Sequence, residues 1–187
     1  MLRRLLIVAA IAVATGRCSA PPDQERHQAE GALTAARAAD AATYAPEELK
    51  AAETAFAQYD AAVAARDYRL ALSLALAARD GAYDAVRRAS DEKAAARGQA
   101  IQLLAELDAL TKAAHARLGG TAGPRPTGAA AERLRGALRP AASALQEARA
   151  RVNRQDYRGA IASVRPVLDL LRKAMPTNAS PASRPAP

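Results

Sequence analysis

Tryptophan is absent from this chain of 187 residues, phenylalanine occurs once, and aromatic residues make up only 3% of it, although 50% of its residues are hydrophobic. The apolar content is therefore largely alanine. Burial is worth about 25 cal/mol per Å² and an alanine methyl presents little area, so one deep globular core is excluded and helix pairs held by small side chains are expected. A single cysteine, Cys18, excludes an internal disulfide. The two histidines, His27 and His115, lie far apart, and neither has a cysteine or acidic cluster at metal-ligand spacing, so no metal site is expected. Serine and threonine are scarce, and no G-x-S-x-G, P-loop or G-x-G-x-x-G pattern occurs. Glu47, Glu48 and Glu53 are the nearest thing to paired carboxylates, but they sit in and just after a helix first turn, where acids complement the dipole. No catalytic residue, cofactor or small-molecule substrate is expected, and the chain reads as non-enzymatic.

The first residues are Met1-Leu2-Arg3-Arg4, then an apolar run from Leu5 to Ala14, then Thr15-Gly16-Arg17-Cys18-Ser19-Ala20. A basic start, a short apolar stretch and small residues after it read as a signal peptide over 1–20. The run falls short of the roughly 20 apolar residues of a membrane-spanning helix. Three outcomes stay open: lipidation of Cys18, ordinary signal-peptidase cleavage with release into the periplasm, or an uncleaved anchor. Arg17 departs from the small residue a lipidation motif wants before its cysteine, and Ala12-Val13-Ala14 offers the competing cleavage site.

Beyond the leader the pattern is helical throughout, giving an all-α fold of elongated hairpins with one long helix. A first helix is expected from Asp23, as its N-cap, to Ala42, with a weak apolar face of Ala29, Ala32, Leu33 and Ala36. Thr43-Tyr44-Ala45-Pro46 interrupts it, and Pro46 suits the first position of the next helix. Leu49, Ala52, Phe56, Tyr59 and Val63 share one face, and that helix should end near Arg66-Asp67, with Asp67 capping its successor. From Tyr68 no proline occurs until Pro124. A small-residue stripe of Ala71, Ala75, Ala78, Ala82 and Ala85 is followed by Leu103, Leu104, Leu107, Leu110, Ala114 and Leu118. This long helix is either continuous or broken near Gly98. The helical domain spans 23–118, residues 119–128 form a Gly/Pro linker, and 129–175 form a second hairpin in which Pro166 should kink or restart the last helix. The Pro/Ala-rich tail, 176–187, reads as disordered. Tyr44, Tyr59, Tyr68, Tyr83 and Tyr157 either pack between helices or line a ligand groove.

A shift of 89 residues places Leu49, Ala52, Ala55, Phe56 and Val63 on Leu138, Ala141, Ala144, Leu145 and Val152, and Asp67-Tyr68-Arg69 on Asp156-Tyr157-Arg158. The reading is a duplicated hairpin whose alanines let two backbones approach. The stretch Tyr44-Ala45-Pro46-Glu47-Glu48-Leu49-Lys50-Ala51-Ala52-Glu53, followed by Ala65-Arg66-Asp67-Tyr68-Arg69-Leu70-Ala71, resembles an uncharacterised family of alanine-rich bacterial envelope lipoproteins. The resemblance covers roughly Ala29 to Ala96. It implies a helical domain of unknown function, sometimes followed in that family by an OmpA-like peptidoglycan-binding domain, which is not expected in this sequence. Asp-Tyr-x-x-Ala also resembles the second helix of a tetratricopeptide repeat, without the Trp-x-x-Leu-Gly-x-x-Tyr signature of the first. These resemblances imply a compartment and an architecture, and no reaction.

Charge divides the chain. Cys18 to Arg117 holds twelve basic and fifteen acidic residues, a net of −3, whereas Leu118 to Pro187 holds twelve basic and four acidic, a net of +8. Most of the excess lies on Arg133, Arg135, Arg139, Arg149, Arg151, Arg154, Arg158, Arg165, Arg172 and Lys173. These residues either form a solvated face or contact an anionic envelope surface such as phospholipid headgroups. The expected role is that of a periplasmic or outer-membrane scaffold or adaptor, with an envelope protein or the cell wall as partner. The rival is a basic nucleic-acid binder, against which stand the export signal and the lack of aromatics among the arginines for base stacking.

Overall fold

The computed structural model describes residues 20–175, and every element in it is helical. The order is α1 (Asp23–Ala38), α2 (Ala41–Tyr44), α3 (Pro46–Ala64), α4 (Tyr68–Gly119), α5 (Gly128–Leu138), α6 (Ala141–Asn153) and α7 (Tyr157–Ala174). The expected signal peptide with Cys18 and the expected disordered tail lie outside the described residues. Among the described residues, no helix is long and apolar enough to cross a membrane.

Contacts divide the described residues into two units, with the boundary between Glu92 and Lys93. The boundary falls inside α4, ahead of the Gly/Pro segment at 119–128 where the sequence suggested one. The reason lies in the leucine stripe of α4. Ala100, Leu107 and Ala114 are buried with Leu134, Leu145, Val164, Leu168 and Leu171, so the later part of α4 is core to the second unit. Helix α4 runs through Gly98 without a break.

In the first unit, α1 buries Ala29, Ala32, Leu33 and Ala36, the face its spacing predicts. Asp23 does not cap this helix. Pro22 takes the N-cap position and Asp23 sits in the first turn with Glu25, where both acids complement the dipole. The helix stops at Ala38 rather than Ala42, because Asp40 turns the chain with a φ of 60°, a left-handed conformation aspartate tolerates. Pro46 opens α3 at its first turn. Helices α3 and α4 pack through Tyr59, Ala62, Ala71 and Ala75.

The duplicated hairpin is present at atomic detail. After α3, the Arg66 amide donates to the Val63 carbonyl (2.9 Å) and the Asp67 amide to the Ala62 carbonyl (2.9 Å). After α6, the Gln155 amide donates to the Val152 carbonyl (2.9 Å) and the Asp156 amide to the Arg151 carbonyl (2.9 Å). Each turn is a Schellman motif with its left-handed residue, Arg66 at φ 57° and Gln155 at φ 63°. Each aspartate then caps the next helix: Asp67 Oδ1 accepts from the Leu70 amide (3.0 Å) and Asp156 Oδ1 from the Gly159 amide (2.9 Å). Ala71, Ala75, Ala78 and Ala82 are buried on α4, and so are Ala160, Val164, Val167 and Leu171 at the matching positions of α7. Side-chain size is exchanged between the two hairpins. The first sets Tyr59 on α3 against an alanine face on α4, while the second sets Leu145 and Ala148 on α6 against valine and leucine on α7.

Pro166 does not restart α7, which is one helix from Tyr157 to Ala174. Pro166 and Ala162, whose carbonyl loses its amide donor, are both exposed, a setting in which the lost helix bond is open to solvent.

Candidate functional site

The ten cations singled out from the sequence all fall in the second unit, and the structure sorts them by whether a carboxylate holds them. Arg172 reaches from α7 to Glu106 on α4 (2.6 Å) and also to Asp169 (3.3 Å). Arg149 on α6 approaches Asp108 on α4 (3.5 Å), which Lys112 also holds at 2.7 Å. The Lys112 ammonium, with Arg149 behind it, lowers the Asp108 pKa. Arg151 bridges Glu147 (2.8 Å) and Asp156 (2.9 Å). Its own pKa is raised by these two bonds, while the Gly159 amide, followed by Arg151, lowers that of Asp156. Arg135 pairs with Glu132 one turn away, and Arg158 is also engaged. These side chains therefore brace helices as well as carrying charge. Arg133, Arg139, Arg154, Arg165 and Lys173 have no ion-pair partner among the described residues and are exposed.

Two of these free cations face each other across a groove. Arg133 on α5 and Lys173 on α7 border an open cleft of about 300 Å³, and its other lining residues are Gly136, Ala137, Leu170 and Ala174. Gly136 leaves the cleft its width, since a Cβ there would meet nothing within 4 Å. Leu170 is 51% exposed and stands one residue aside from the apolar face of α7, formed by Tyr157, Val164, Val167, Leu168 and Leu171. Neither Gly136 nor Leu170 was singled out in the sequence. The signal available there was Leu170 itself, a large apolar residue off the stripe.

The tyrosines divide. Tyr44, Tyr59 and Tyr157 are buried, consistent with packing. Tyr83 is 49% exposed and lines a shallow groove of the first unit with Gln28, Gly31, Ala35, Arg79 and Asp80. Tyr59 stacks on Phe56 with ring centroids 6.4 Å apart, and Arg26 lies 5.6 Å from the Phe56 centroid. The Tyr59 hydroxyl is buried with no hydrogen-bond partner among the described residues, and burial raises its pKa, with Asp23 adding to the effect.

His27 and His115 are both exposed, and His115 Nδ1 lies 2.8 Å from the Thr111 carbonyl one turn earlier. Among the described residues no group of three histidine, cysteine or acidic side chains stands close enough to hold a metal ion. Glu47 and Glu48 occupy the first turn of α3, and Glu53 pairs with Arg37 of α1 at 2.7 Å. They are not assembled as a carboxylate pair. No protein-family model, curated protein or solved structure matches this chain.

Proposed function

We propose that this protein is a non-enzymatic scaffold or adaptor of the bacterial cell envelope, exported by its N-terminal segment and offering helix faces to another envelope protein or to the cell wall. The observation that carries this reading is the duplicated hairpin. Two units built on one plan, with small-residue faces and with Leu70, Leu72, Tyr83, Ile101 and Leu170 left substantially exposed, suit repeated helix-to-helix contact better than chemistry at one centre. Export is supported by the basic start and by the apolar run from Leu5 to Ala14. The free cations of the second unit fit an anionic envelope environment.

Cross-linking in intact cells, followed by recovery of the tagged chain from isolated envelopes, tests the reading. A discrete envelope protein or peptidoglycan adduct supports it. Recovery of the chain from the cytosol bound to nucleic acid would establish the rival reading. Radioactive palmitate incorporated by the wild type and not by Cys18→Ala would identify the tether as a lipid.

A further inference from the structure

We infer that the groove between α5 and α7 is a contact site for anionic phospholipid, with Arg133 and Lys173 on the headgroup phosphate and Leu170 entering the acyl region. This deepens the envelope reading above and rests on it. The groove has an apolar floor of Gly136, Ala137 and Ala174, and its only charged or hydrogen-bonding side chains are the two cations. Neither cation has an ion-pair partner among the described residues, whereas Arg172, beside Lys173, is held by Glu106. An occupant must therefore bring both negative charge and apolar surface. A volume of about 300 Å³ lies at the small end of ligand clefts. No serine, threonine, asparagine or glutamine lines it to bond a peptide backbone. Long cationic side chains lay their methylene stems on apolar surface and keep their charge in the polar layer, which places Arg133 and Lys173 where headgroups meet acyl chains. Leu170 supplies the apolar side chain that a bare electrostatic patch lacks. Arg139 and Arg165 carry further charge with no ion-pair partner among the described residues of the same unit and add to its long-range attraction.

The test uses the chain lacking residues 1–18, a deletion that removes none of the described helices, in co-sedimentation with vesicles. One set is phosphatidylcholine alone and the other an equal mixture with phosphatidylglycerol. Binding is expected to the mixed vesicles only, and to weaken as salt is raised. Each cation near an anionic surface is worth about fivefold, so Arg133→Gln with Lys173→Gln should weaken partitioning about thirtyfold. Arg87→Gln with Arg88→Gln removes the same charge from the first unit and should leave binding within about twofold if the site is local. Gly136→Leu fills the groove at a position where a Cβ meets nothing, so it should keep the helical circular dichroism spectrum while weakening binding. Leu170→Gln should leave only weak, strongly salt-sensitive adsorption.

Failure to bind mixed vesicles at low ionic strength overturns the proposal, as does equal loss in the Arg87/Arg88 control or unaltered binding by Gly136→Leu. Preference for soluble poly-glutamate over the vesicles would make the occupant an acidic polypeptide and overturn it as well. A negative vesicle result leaves an envelope protein recovered by cross-linking standing, so the two readings fail separately.

Discussion

Gly81 of α4 and Ala52 of α3 meet almost backbone to backbone: a Cβ built on Gly81 would stand 3.3 Å from the Ala52 Cβ and 3.6 Å from its Cα. Gly98, farther along the same helix, would place its Cβ in open space. Alanine is favoured over glycine inside a helix by about 1 kcal/mol, so Gly98→Ala should stabilise the protein by about that amount. In Gly81→Ala the tight contact works against the same gain, leaving stability close to wild type. Gly81→Leu should lose about 1–3 kcal/mol by overpacking. Thermal denaturation of the three variants checks the order, and a Gly81→Leu protein as stable as Gly98→Ala would rule out the close contact.

Asp156 caps α7 through the Gly159 amide, and its pKa is held below 3.8 by that bond and by Arg151. Replacing a capping aspartate by alanine costs about 1 kcal/mol, so Asp156→Ala should be destabilised near neutral pH. A depressed folded-state pKa contributes stability that is present above the unfolded value and is lost as pH falls through the folded one. The gap between wild type and Asp156→Ala should therefore narrow below about pH 4. Urea titrations at neutral and acid pH measure it, and a gap independent of pH would refute the charged cap.

Arg172 and Glu106 join α7 to α4 at 2.6 Å, yet their side chains are 50% and 40% exposed. Exposed pairs contribute about 0.2–1 kcal/mol. A double-mutant cycle with Arg172→Gln and Glu106→Gln should give a coupling in that range at low salt and less at high salt. A coupling above about 2 kcal/mol would show that solvent screens this pair less than its exposure implies.

The Tyr59 hydroxyl is buried without a partner, and an unsatisfied buried polar group costs about 1–3 kcal/mol. Tyr59→Phe should therefore be at least as stable as wild type. Leu168→Ala, in contrast, empties a fully buried site of the second unit and should cost about 2–5 kcal/mol. A lowered melting temperature in Tyr59→Phe would mean that the hydroxyl has found a water partner.

Much of this fold was legible because helix faces repeat at fixed spacing. Leu49, Ala52 and Tyr59 on α3 are buried as their periodicity requires, and the Asp67 and Asp156 caps follow from the repeated Asp-Tyr. Boundaries were harder. Nothing in the composition around Asp40 announces a left-handed residue, and the unit boundary inside α4 depends on which helices its leucines meet. Arg172 and Glu106 are 66 residues apart, so no local pattern exposes their bond, whereas Glu147 and Arg151 stand one turn apart on a single helix. The basic character of the second unit was plain from residue counts. The groove was not, because it arises where Gly136 of one helix faces Leu170 of another.

The exchange of side-chain size between the hairpins bears on how a chain carrying one motif twice folds without crossing its partners. The turns at Arg66 and Gln155 are alike and would accept either returning helix. Were α3 to pair with α7, Tyr59 would meet valine and leucine where it now meets alanine. Were α6 to lie on the alanine face of α4, alanine would face alanine where Tyr59 now fills the space. Either mismatch is penalised by excess volume or by emptiness, so side-chain bulk favours each hairpin's own pairing over the exchanged one.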